Sequence, residues 1–396
     1  MLISFTFFIV KKNNNSNPLS FISSVAGMQS DIDFQNGNNK IKDWRWQLAN
    51  QITDIGSLNI FCRLQSAEFV DLKTVTAKFP FALTPYLFSI IDWSNESDPI
   101  LRQVLPDNRE LDNVSPEAKP DPLNEVNLMP VKRLIHRYPD RAVLIVTNRC
   151  SAFCRHCNRK RSWKDINNDI TNLELEEIIN YLKDTPEIRE VILSGGDPLI
   201  LQDDKLKKLL NAVFAVGTIK VVRIGTRVPV FLPMRITEDL CRLLEEFPSV
   251  WINTQFNHPL EITKESKEAC EKLQKAGIPL SNQAVLLKGI NDSPEVMIEL
   301  CRKLQEIKVR PYYLFQCDLI EGTEHFWTPL AAGKQIIERM TGHTGGLCVP
   351  RFVIDLPGGK GKIPIIPDYI VNETEGKIIF KNYKGEKVEY IRCLTN

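Results

Sequence analysis

The feature that most limits the fold is a regular alternation of short apolar segments and amphipathic segments that starts near residue 142. The apolar segments place apolar residues on consecutive positions, which is typical of parallel strands covered on both faces. Strands that alternate with helices predict a parallel sheet with right-handed crossovers. The candidate strands are residues 142–148, 190–193, 220–226, 250–256, 279–287 and 310–317, and the candidate helices are residues 173–185, 204–213, 237–247, 263–276, 294–307 and 333–340.

Three cysteines follow the first candidate strand within one short loop, Cys150, Cys154 and Cys157, with the spacing Cys-x3-Cys-x2-Cys. Three thiolates can hold three irons of a [4Fe–4S] cluster and leave the fourth iron open, whereas ferredoxin-type clusters use four cysteines. Radical S-adenosylmethionine (SAM) enzymes are built in this way. The alternative is a structural zinc site, which usually takes four closed ligands. His156 is a candidate for the fourth ligand, but it is crowded between Cys154 and Cys157.

Six β-α units, rather than eight, suit the partial (β/α)6 TIM-type barrel of radical SAM enzymes, which is an α/β fold. The polar candidates lie at the carboxyl ends of the strands, where barrels build their active sites. We expect a mostly helical region over residues 28–140, the barrel over residues 141–342, and a small C-terminal extension with a hairpin over residues 343–396. Residues 1–27 are expected to be disordered or foreign to the fold, with Met28 as an alternative start.

Composition agrees with a cytoplasmic enzyme. The formal net charge is +1, so the chain carries no charge signature for nucleic acid or anionic membranes. The apolar segment over residues 3–10 is too short to span a bilayer. The remaining cysteines are scattered, which suits buried thiols in a reducing compartment better than a disulfide framework. We therefore predict a small-molecule substrate and neither a nucleic-acid nor a membrane partner.

A glycine-containing turn follows the second candidate strand and consists of Ser194, Gly195, Gly196 and Asp197. Paired glycines let a ligand approach the backbone closely. Because this turn comes one strand after the cysteine loop, we predict that it contacts the methionine part of SAM. Gln283, on the fifth candidate strand, is a candidate for contacts to the SAM nucleoside, and a hydrogen bond inside the barrel is the equally weighted alternative.

A second cofactor is indicated by a glycine-rich turn near the C-terminus that contains Lys360 and Lys362. A lysine in such a turn can form a Schiff base with pyridoxal 5′-phosphate (PLP). A solvated loop and a phosphate-binding nest are the alternatives. Just before the first candidate strand, Arg137 and Arg141 flank Tyr138 and supply two guanidinium groups suited to a phosphate. Surface salt bridges are the ordinary alternative for these arginines.

Taken together, the motifs resemble the lysine 2,3-aminomutase family in colinear order over roughly residues 40–370. The resemblance is carried by Asp43–Gln47, Ile135–Arg141, Cys154–Arg159, Ser194–Leu199, Arg227–Val230, Phe256–Pro259, Asn282–Gln283 and Pro357–Lys362. It implies that Lys362 anchors PLP and that Arg137, Tyr138 and Arg141 contact this cofactor. It also implies that Arg159 binds the α-carboxylate of the substrate.

The resemblance assigns the choice of substrate to two aspartates, Asp318 and Asp355, which match the pair that binds the lysine ε-ammonium in this family. Paired carboxylates suit a distal ammonium because the hydrogen bonds between them are charge-assisted. Glutamate 2,3-aminomutases carry Lys and Asn at these positions, so two aspartates favour lysine. The alternative is that both are strand-end residues with structural hydrogen bonds.

The implied activity is that of an isomerase that interconverts L-lysine and β-lysine. The amino group migrates from C2 to C3 with the help of PLP, after a 5′-deoxyadenosyl radical from SAM starts the reaction. The resemblance also implies an electron donor such as ferredoxin or flavodoxin, and a homo-oligomer. The alternatives are the β-lysine-forming branch that modifies elongation factor P, and an aminomutase for another amino acid such as glutamate.

The sequence departs from the family pattern at two places. Longer members bind zinc through a C-terminal cysteine cluster, but this tail has only Cys393, so we expect no zinc. The glycine run near the C-terminus is interrupted by Lys360, which is therefore a rival anchor for PLP. The register of the motif favours Lys362.

Overall fold

The computed structural model describes residues 40–391, apart from residues 63–65, 113–114, 166–167 and 375–376. Residues 1–27, for which the sequence predicts an extension, lie outside the described residues, as does Cys393. None of the helices in the described ranges has both the length and the apolar character needed to cross a bilayer.

The barrel is a single open sheet of nine strands whose spatial order follows the sequence. Strands β2 to β8 run parallel, whereas β1 and β9 pair antiparallel at the two edges. The strands are β1 (Leu134–Tyr138), β2 (Arg141–Thr147), β3 (Glu190–Gly195), β4 (Val221–Thr226), β5 (Val250–Thr254), β6 (Leu280–Leu286), β7 (Arg310–Gln316), β8 (Arg351–Asp355) and β9 (Lys362–Pro364). The curled sheet confirms the predicted partial barrel.

All six predicted strands are present as β2 to β7, and the sheet continues beyond them. β8 pairs in parallel with β7, and β9 folds back antiparallel on β8. The first part of the predicted C-terminal extension therefore belongs to the sheet of the barrel. The rest of the tail forms a separate three-stranded sheet, which contains the predicted hairpin; its strands are β10 (Ile370–Glu373), β11 (Lys377–Lys381) and β12 (Lys387–Ile391).

The helices of the N-terminal region are α1 (Trp44–Ala49), α2 (Ile55–Cys62), α3 (Ser66–Lys78), α4 (Pro85–Ile90) and α5 (Leu101–Val104). Those of the barrel are α6 (Asn172–Asp184), α7 (Asp203–Phe214), α8 (Val228–Phe231), α9 (Glu238–Glu245), α10 (Lys264–Lys275), α11 (Pro294–Glu306) and α12 (Leu330–Met340). The six predicted barrel helices are confirmed within a few residues at each end. Several begin at a hydroxyl that accepts a hydrogen bond from a backbone amide, as Thr171 does at α6 and Ser293 does at α11.

Cover on both faces, the expectation from the sequence, holds for part of the sheet: consecutive residues are buried in β2 and β6, whereas β4 is fully buried on one face only. In β4, Val222 and Ile224 are buried among apolar residues, whereas the intervening Arg223 is half-buried. Arg223 forms an ion pair with Glu190 on the neighbouring β3. In β4, therefore, the apolar face packs into the core and the opposite face carries the charge of Arg223.

The N-terminal helical region shares its core with the barrel. Leu83, Leu87 and Val104 belong to the same apolar cluster as the buried residues of β2 to β7. The hydroxyl of Thr84 begins α4 and also donates a hydrogen bond of 3.0 Å to the carbonyl of Phe231 in α8. The N-terminal region is therefore packed into the barrel wall, close to the loops that follow the strands.

Candidate active site

One cavity at the carboxyl ends of the strands is lined by all three loop cysteines, Cys150, Cys154 and Cys157, together with the turn at residues 194–197. The cysteine loop begins where β2 ends at Thr147. It closes on itself through a hydrogen bond of 2.8 Å from the amide of Cys157 to the carbonyl of Cys154. The structure therefore brings the predicted cluster ligands and the predicted SAM turn to one site.

The environment of the thiols fits a bound iron–sulfur cluster. Burial raises the pKa of Cys150, and it raises the pKa of Cys157 to about 11, so thiolates here need a compensating positive charge. One such charge is Arg227, whose Nη1 lies 3.1 Å from Sγ of Cys154. Among the described residues, no three His, Cys, Asp or Glu side chains are close enough to hold a single metal ion. A [4Fe–4S] cluster is larger than one ion, and its thiolates lie farther apart than the ligands of zinc.

The two glycines of the turn after β3 allow it to pack directly against the cysteine loop. A Cβ atom on Gly196 would lie 2.1 Å from the carbonyl oxygen of Arg149, and one on Gly195 would lie 2.4 Å from that of Thr147. The amide of Gly196 donates a hydrogen bond of 2.6 Å to the same Thr147 carbonyl. The close approach that these glycines allow is therefore to the backbone of the neighbouring loop, and their contact with SAM stays a prediction.

Asp197 stabilises the same turn through hydrogen bonds to its side-chain carboxylate. Its buried carboxylate accepts hydrogen bonds from the hydroxyl of Thr226 at 2.7 Å and from the amides of Arg227 at 2.7 Å and Leu199 at 3.1 Å. These donors come from its own turn and from the end of β4. Asp197 therefore ties the loops after β3 and β4 together, while the backbone of the turn lines the cavity.

A buried carboxylate that sequence reasoning missed holds the cysteine loop from the other side. Glu110 accepts hydrogen bonds from Arg155 at 2.6 and 2.8 Å and from Lys160 at 2.7 Å, and all three side chains are almost completely buried. Burial opposes the ionisation of Glu110, but the charges of Arg155 and Lys160 outweigh it and lower its pKa. Only the abundance of basic residues in the cysteine loop hints at such a partner in the sequence.

Arg159, the predicted ligand of the substrate carboxylate, lines the cavity. Its Nη1 donates a hydrogen bond of 3.1 Å to the hydroxyl of Ser194. Its Nη2 and Nε lie 2.7 and 3.1 Å from the two carboxylate oxygens of Glu125, a second residue that sequence reasoning missed. Glu125 lies in an irregular segment with no motif around it, so no sequence signal identifies it.

The predicted PLP residues meet where β9 pairs with β8. Lys362 is the register partner of Asp355, and its Nζ lies 3.7 Å from the carboxylate. The same carboxylate lies 3.2 Å from Nη1 of Arg137, and the amide of Lys362 donates a hydrogen bond of 2.9 Å to the hydroxyl of Tyr138. Arg141 joins this group less directly, because its guanidinium lies 3.9 Å from the centre of the Tyr138 ring.

The environment of Lys362 fits an amine that must attack a carbonyl group. Its Nζ lies 4.2 Å from the centre of the Phe315 ring, and burial lowers its pKa, so a larger fraction of the amine is neutral. Lys360, the rival anchor, is exposed to solvent. The described residues therefore fit the attachment of an aldehyde cofactor at Lys362.

The two predicted specificity residues lie in the wall of the same cavity. Asp318 follows β7, and Asp355 is the last residue of β8. Burial and repulsion from Asp355 raise the pKa of Asp318 to about 7. Gln283, on β6, also lines this cavity.

Two segments of the chain match models of known protein families. Residues 144–301 match the model of the radical SAM superfamily, and residues 337–392 match a model described as lysine-2,3-aminomutase. The L-lysine 2,3-aminomutase of Acetoanaerobium sticklandii is 45% identical over 88% of this chain and 84% of its own length. The L-lysine 2,3-aminomutase of Clostridium subterminale is 43% identical over 88% and 83%.

A glutamate 2,3-aminomutase from Clostridioides difficile is 40% identical over 89% of this chain and 84% of its own length. Proteins named for two different amino acids are therefore similar to this chain at comparable levels. The matches cover the cysteine loop, the barrel and the strands that contain Asp355 and Lys362. At this identity and coverage, the chain belongs to the lysine 2,3-aminomutase family, whose isomerases use a [4Fe–4S] cluster, SAM and PLP.

Proposed function

We propose that this protein interconverts L-lysine and β-lysine, and that it selects lysine over glutamate. The observation that carries the proposal is that Asp318 and Asp355 line the same cavity as Arg159. A guanidinium and a pair of carboxylates complement an amino acid that has a carboxylate at one end and a cation at the other. The similarity to lysine 2,3-aminomutases at up to 45% identity supports this choice.

The electrostatics of the aspartate pair favour a cationic side chain. Burial and the nearby charge of Asp355 raise the pKa of Asp318 to about 7, so a second negative charge is costly there. The ammonium of lysine would relieve this repulsion and donate hydrogen bonds to both carboxylates. The carboxylate of glutamate would add a third negative charge to the same region.

The remaining site residues are proposed to hold the cofactors. The cluster would be held by Cys150, Cys154 and Cys157. SAM would be contacted by Gln283 and by Ser194, Gly195 and Gly196, which lie in a turn that Asp197 supports. PLP would be held by Arg137, Tyr138, Arg141 and Lys362. When bound, these cofactors supply a 5′-deoxyadenosyl radical and a conjugated ring that can spread an unpaired electron.

The contribution of the chain itself is to bind and orient. Arg159 would hold the α-carboxylate, while Asp318 and Asp355 would hold the distal ammonium, so that the β-carbon between them is placed reproducibly. Asp355 also contacts Arg137 and Lys362, and it therefore links the substrate region to the PLP region. With the cofactors and the substrate bound, the walls of this cavity would limit the access of water to a radical.

The test is anaerobic turnover of labelled lysine, glutamate, arginine and ornithine by the reconstituted enzyme. We expect a clear preference for lysine. Replacing Asp318 removes a charge-assisted contact worth about 1.5–3 kcal/mol, so Asp318→Asn should lower kcat/KM for lysine by about tenfold or more.

The matched control is Asp239→Asn, which removes an exposed carboxylate on α9, outside the cavity, and should leave kcat/KM unchanged. A preference for glutamate would contradict the proposal. So would an unchanged kcat/KM for lysine in Asp318→Asn.

A further inference from the structure

An irregular segment at residues 119–128, which we call the crossing segment, connects the N-terminal helices to β1 and contacts the loop after β7. The amide of Lys119 donates a hydrogen bond of 3.0 Å to the carbonyl of Leu319, and the carbonyl of Lys119 accepts one of 3.2 Å from the amide of Glu321. These hydrogen bonds attach the start of the crossing segment to the loop after β7, next to Asp318.

The crossing segment also packs against the glycine turn that precedes Lys362. The carbonyl of Pro122 accepts a hydrogen bond of 2.7 Å from the amide of Gly358. A Cβ atom on Gly359, where φ is +75°, would lie 2.6 Å from Cδ1 of Leu128, so only glycine permits this approach. The segment therefore touches two of the regions to which substrate and PLP are assigned.

Its third contact is with the cysteine loop and is made by Glu125, whose side chain is 5% exposed. The carboxylate accepts two parallel hydrogen bonds from Arg159 and one of 2.7 Å from Nη2 of Arg161. A two-point contact fixes the plane of a guanidinium as well as its position. Only the Nη1 side of Arg159 is left to face Ser194 and the cavity.

The two arginines that share this carboxylate differ in where they lie. Arg159 lines the cavity. Arg161 instead donates a hydrogen bond of 3.2 Å to the carbonyl of Asn158 and lies 3.5 Å from Asp121. Burial opposes the ionisation of Glu125, but the charges of Arg159 and Arg161 outweigh it and lower its pKa. Glu125 therefore favours its ionised form. One of its partners, Arg159, lines the cavity, and the other, Arg161, lies outside it.

We propose that Glu125 is a positioning residue, which holds Arg159 in the orientation that binds the α-carboxylate of the amino acid substrate. The inference rests on the proposed function, because that function assigns the carboxylate to Arg159. A free arginine side chain loses rotamer entropy when it is immobilised. Glu125 has already immobilised Arg159 before the substrate arrives, which reduces the entropic cost of binding.

The experiment measures how well the holoenzyme distinguishes a carboxylate from an amide. The readout is the ratio of the inhibition constant of L-lysinamide to the KM of L-lysine, measured for the parent and for four variants. We expect Glu125→Gln and Arg159→Lys each to lower this ratio by about tenfold, since each disturbs one charge-assisted contact. Glu125→Asp should lower it by a smaller factor, and Arg161→Gln should leave it unchanged.

A double variant separates positioning from a general structural effect. If Glu125 acts through Arg159, then Glu125→Gln should lower the ratio no further in the Arg159→Lys background. A further, additive decrease would overturn the inference, as would an equal decrease in Arg161→Gln. If Glu125→Gln does not retain its iron, Glu125→Asp replaces it, and an unchanged ratio in that variant also overturns the inference.

Failure of the proposed function gives a different result. If Arg159→Lys leaves the ratio unchanged, Arg159 does not bind the carboxylate, and the inference fails together with that assignment. If Arg159→Lys lowers the ratio but Glu125→Gln does not, the proposed function stands and only the positioning role of Glu125 is wrong.

Discussion

The cavity has two ends that differ in how their charges are arranged. We call them the cysteine end, which contains Cys150, Cys154 and Cys157, and the lysine end, which contains Asp318 and Asp355, with Lys362 beside Asp355. At the cysteine end, the neighbouring charges are paired in buried contacts, such as Arg155 with Glu110. At the lysine end, Asp318 and Asp355 repel each other, and this repulsion helps to raise the pKa of Asp318 to about 7.

The difference separates residues that hold the site together from residues that are available to bind. A buried ion pair with several hydrogen bonds is costly to break, so it holds the cysteine loop in one place. A carboxylate that is repelled by a neighbouring carboxylate is stabilised when a cation binds beside it. We therefore expect substitutions at the cysteine end to abolish chemistry, and those at the lysine end to change cofactor attachment, affinity and pH dependence.

The largest effect should come from Cys154→Ala. The variant loses one of the three proposed cluster ligands and also the sulfur that contacts Arg227. We expect no reductive cleavage of SAM, because an incomplete cluster cannot deliver the electron, while the fold is retained. The measurement is 5′-deoxyadenosine formed with dithionite under anaerobic conditions, together with the iron content.

The control for this variant is Cys241→Ala, which alters a buried cysteine on α9, outside the cavity. It should cleave SAM at the parent rate. If Cys154→Ala also produced 5′-deoxyadenosine at the parent rate, the cysteine end would not be the cluster site.

The next largest effect should come from Lys362→Ala at the lysine end. This variant lacks the amine beside Asp355, so reduction of the PLP-loaded protein with borohydride should leave no pyridoxyl adduct on the glycine turn. Lys360→Ala is the matched control, because Lys360 is two residues away and exposed. Peptide mapping by mass spectrometry locates the adduct, and an adduct on Lys360 would contradict the choice of register.

The smallest effect should be a difference in pH dependence between the two ends. Asp318 has a pKa of about 7 in the folded protein against an ordinary 3.8, so the folded chain binds more protons in this window. Its contribution to stability therefore falls as the pH rises from about 4 to about 7. We expect the unfolding temperature of PLP-free Asp318→Asn to fall less than that of the parent over this range.

Glu110 should behave in the opposite way, because its pKa is lowered by Arg155 and Lys160 against the effect of burial. Its contribution to stability is present above the ordinary pKa of a glutamate and is lost on acidification. Asp239→Asn, which removes an exposed carboxylate outside the cavity, is measured beside Asp318→Asn as the control for the loss of one negative charge. If Asp318→Asn followed the parent slope between about pH 4 and 7, the pKa of Asp318 would not be raised in the folded protein.

Most of the barrel could be predicted from the sequence, because its strands and helices recur with a clear period. β2 to β7 and the six long helices of the barrel were all predicted. β8 and β9 were not predicted: β9 has only three residues, and β8 is followed by a glycine turn rather than by a long helix. Such short segments become strands because β7 provides a parallel edge for β8, and β8 an antiparallel edge for β9.

The site was predictable where its residues carry a motif. The cysteine loop, the turn after β3 and the glycine turn near Lys362 are motifs, and the structure brings the first two together around one cavity, with Asp355 linking the third. Glu110 and Glu125 have no motif, and their arginine partners lie 45 and 34 residues away in the chain. A single sequence does not show which of its many carboxylates will be enclosed with a given arginine.

The sequence by itself determined the repeating strand and helix pattern, the three thiols on one loop, and the family to which the motifs belong. These are local properties, because spacing along the chain sets which side chains share a loop or a face. The tertiary structure alone decided that Asp355 lies beside Lys362 and that Glu125 holds Arg159. It also decided that the pKa of Asp318 is raised, because a pKa depends on burial and on neighbouring charges that only the folded chain creates.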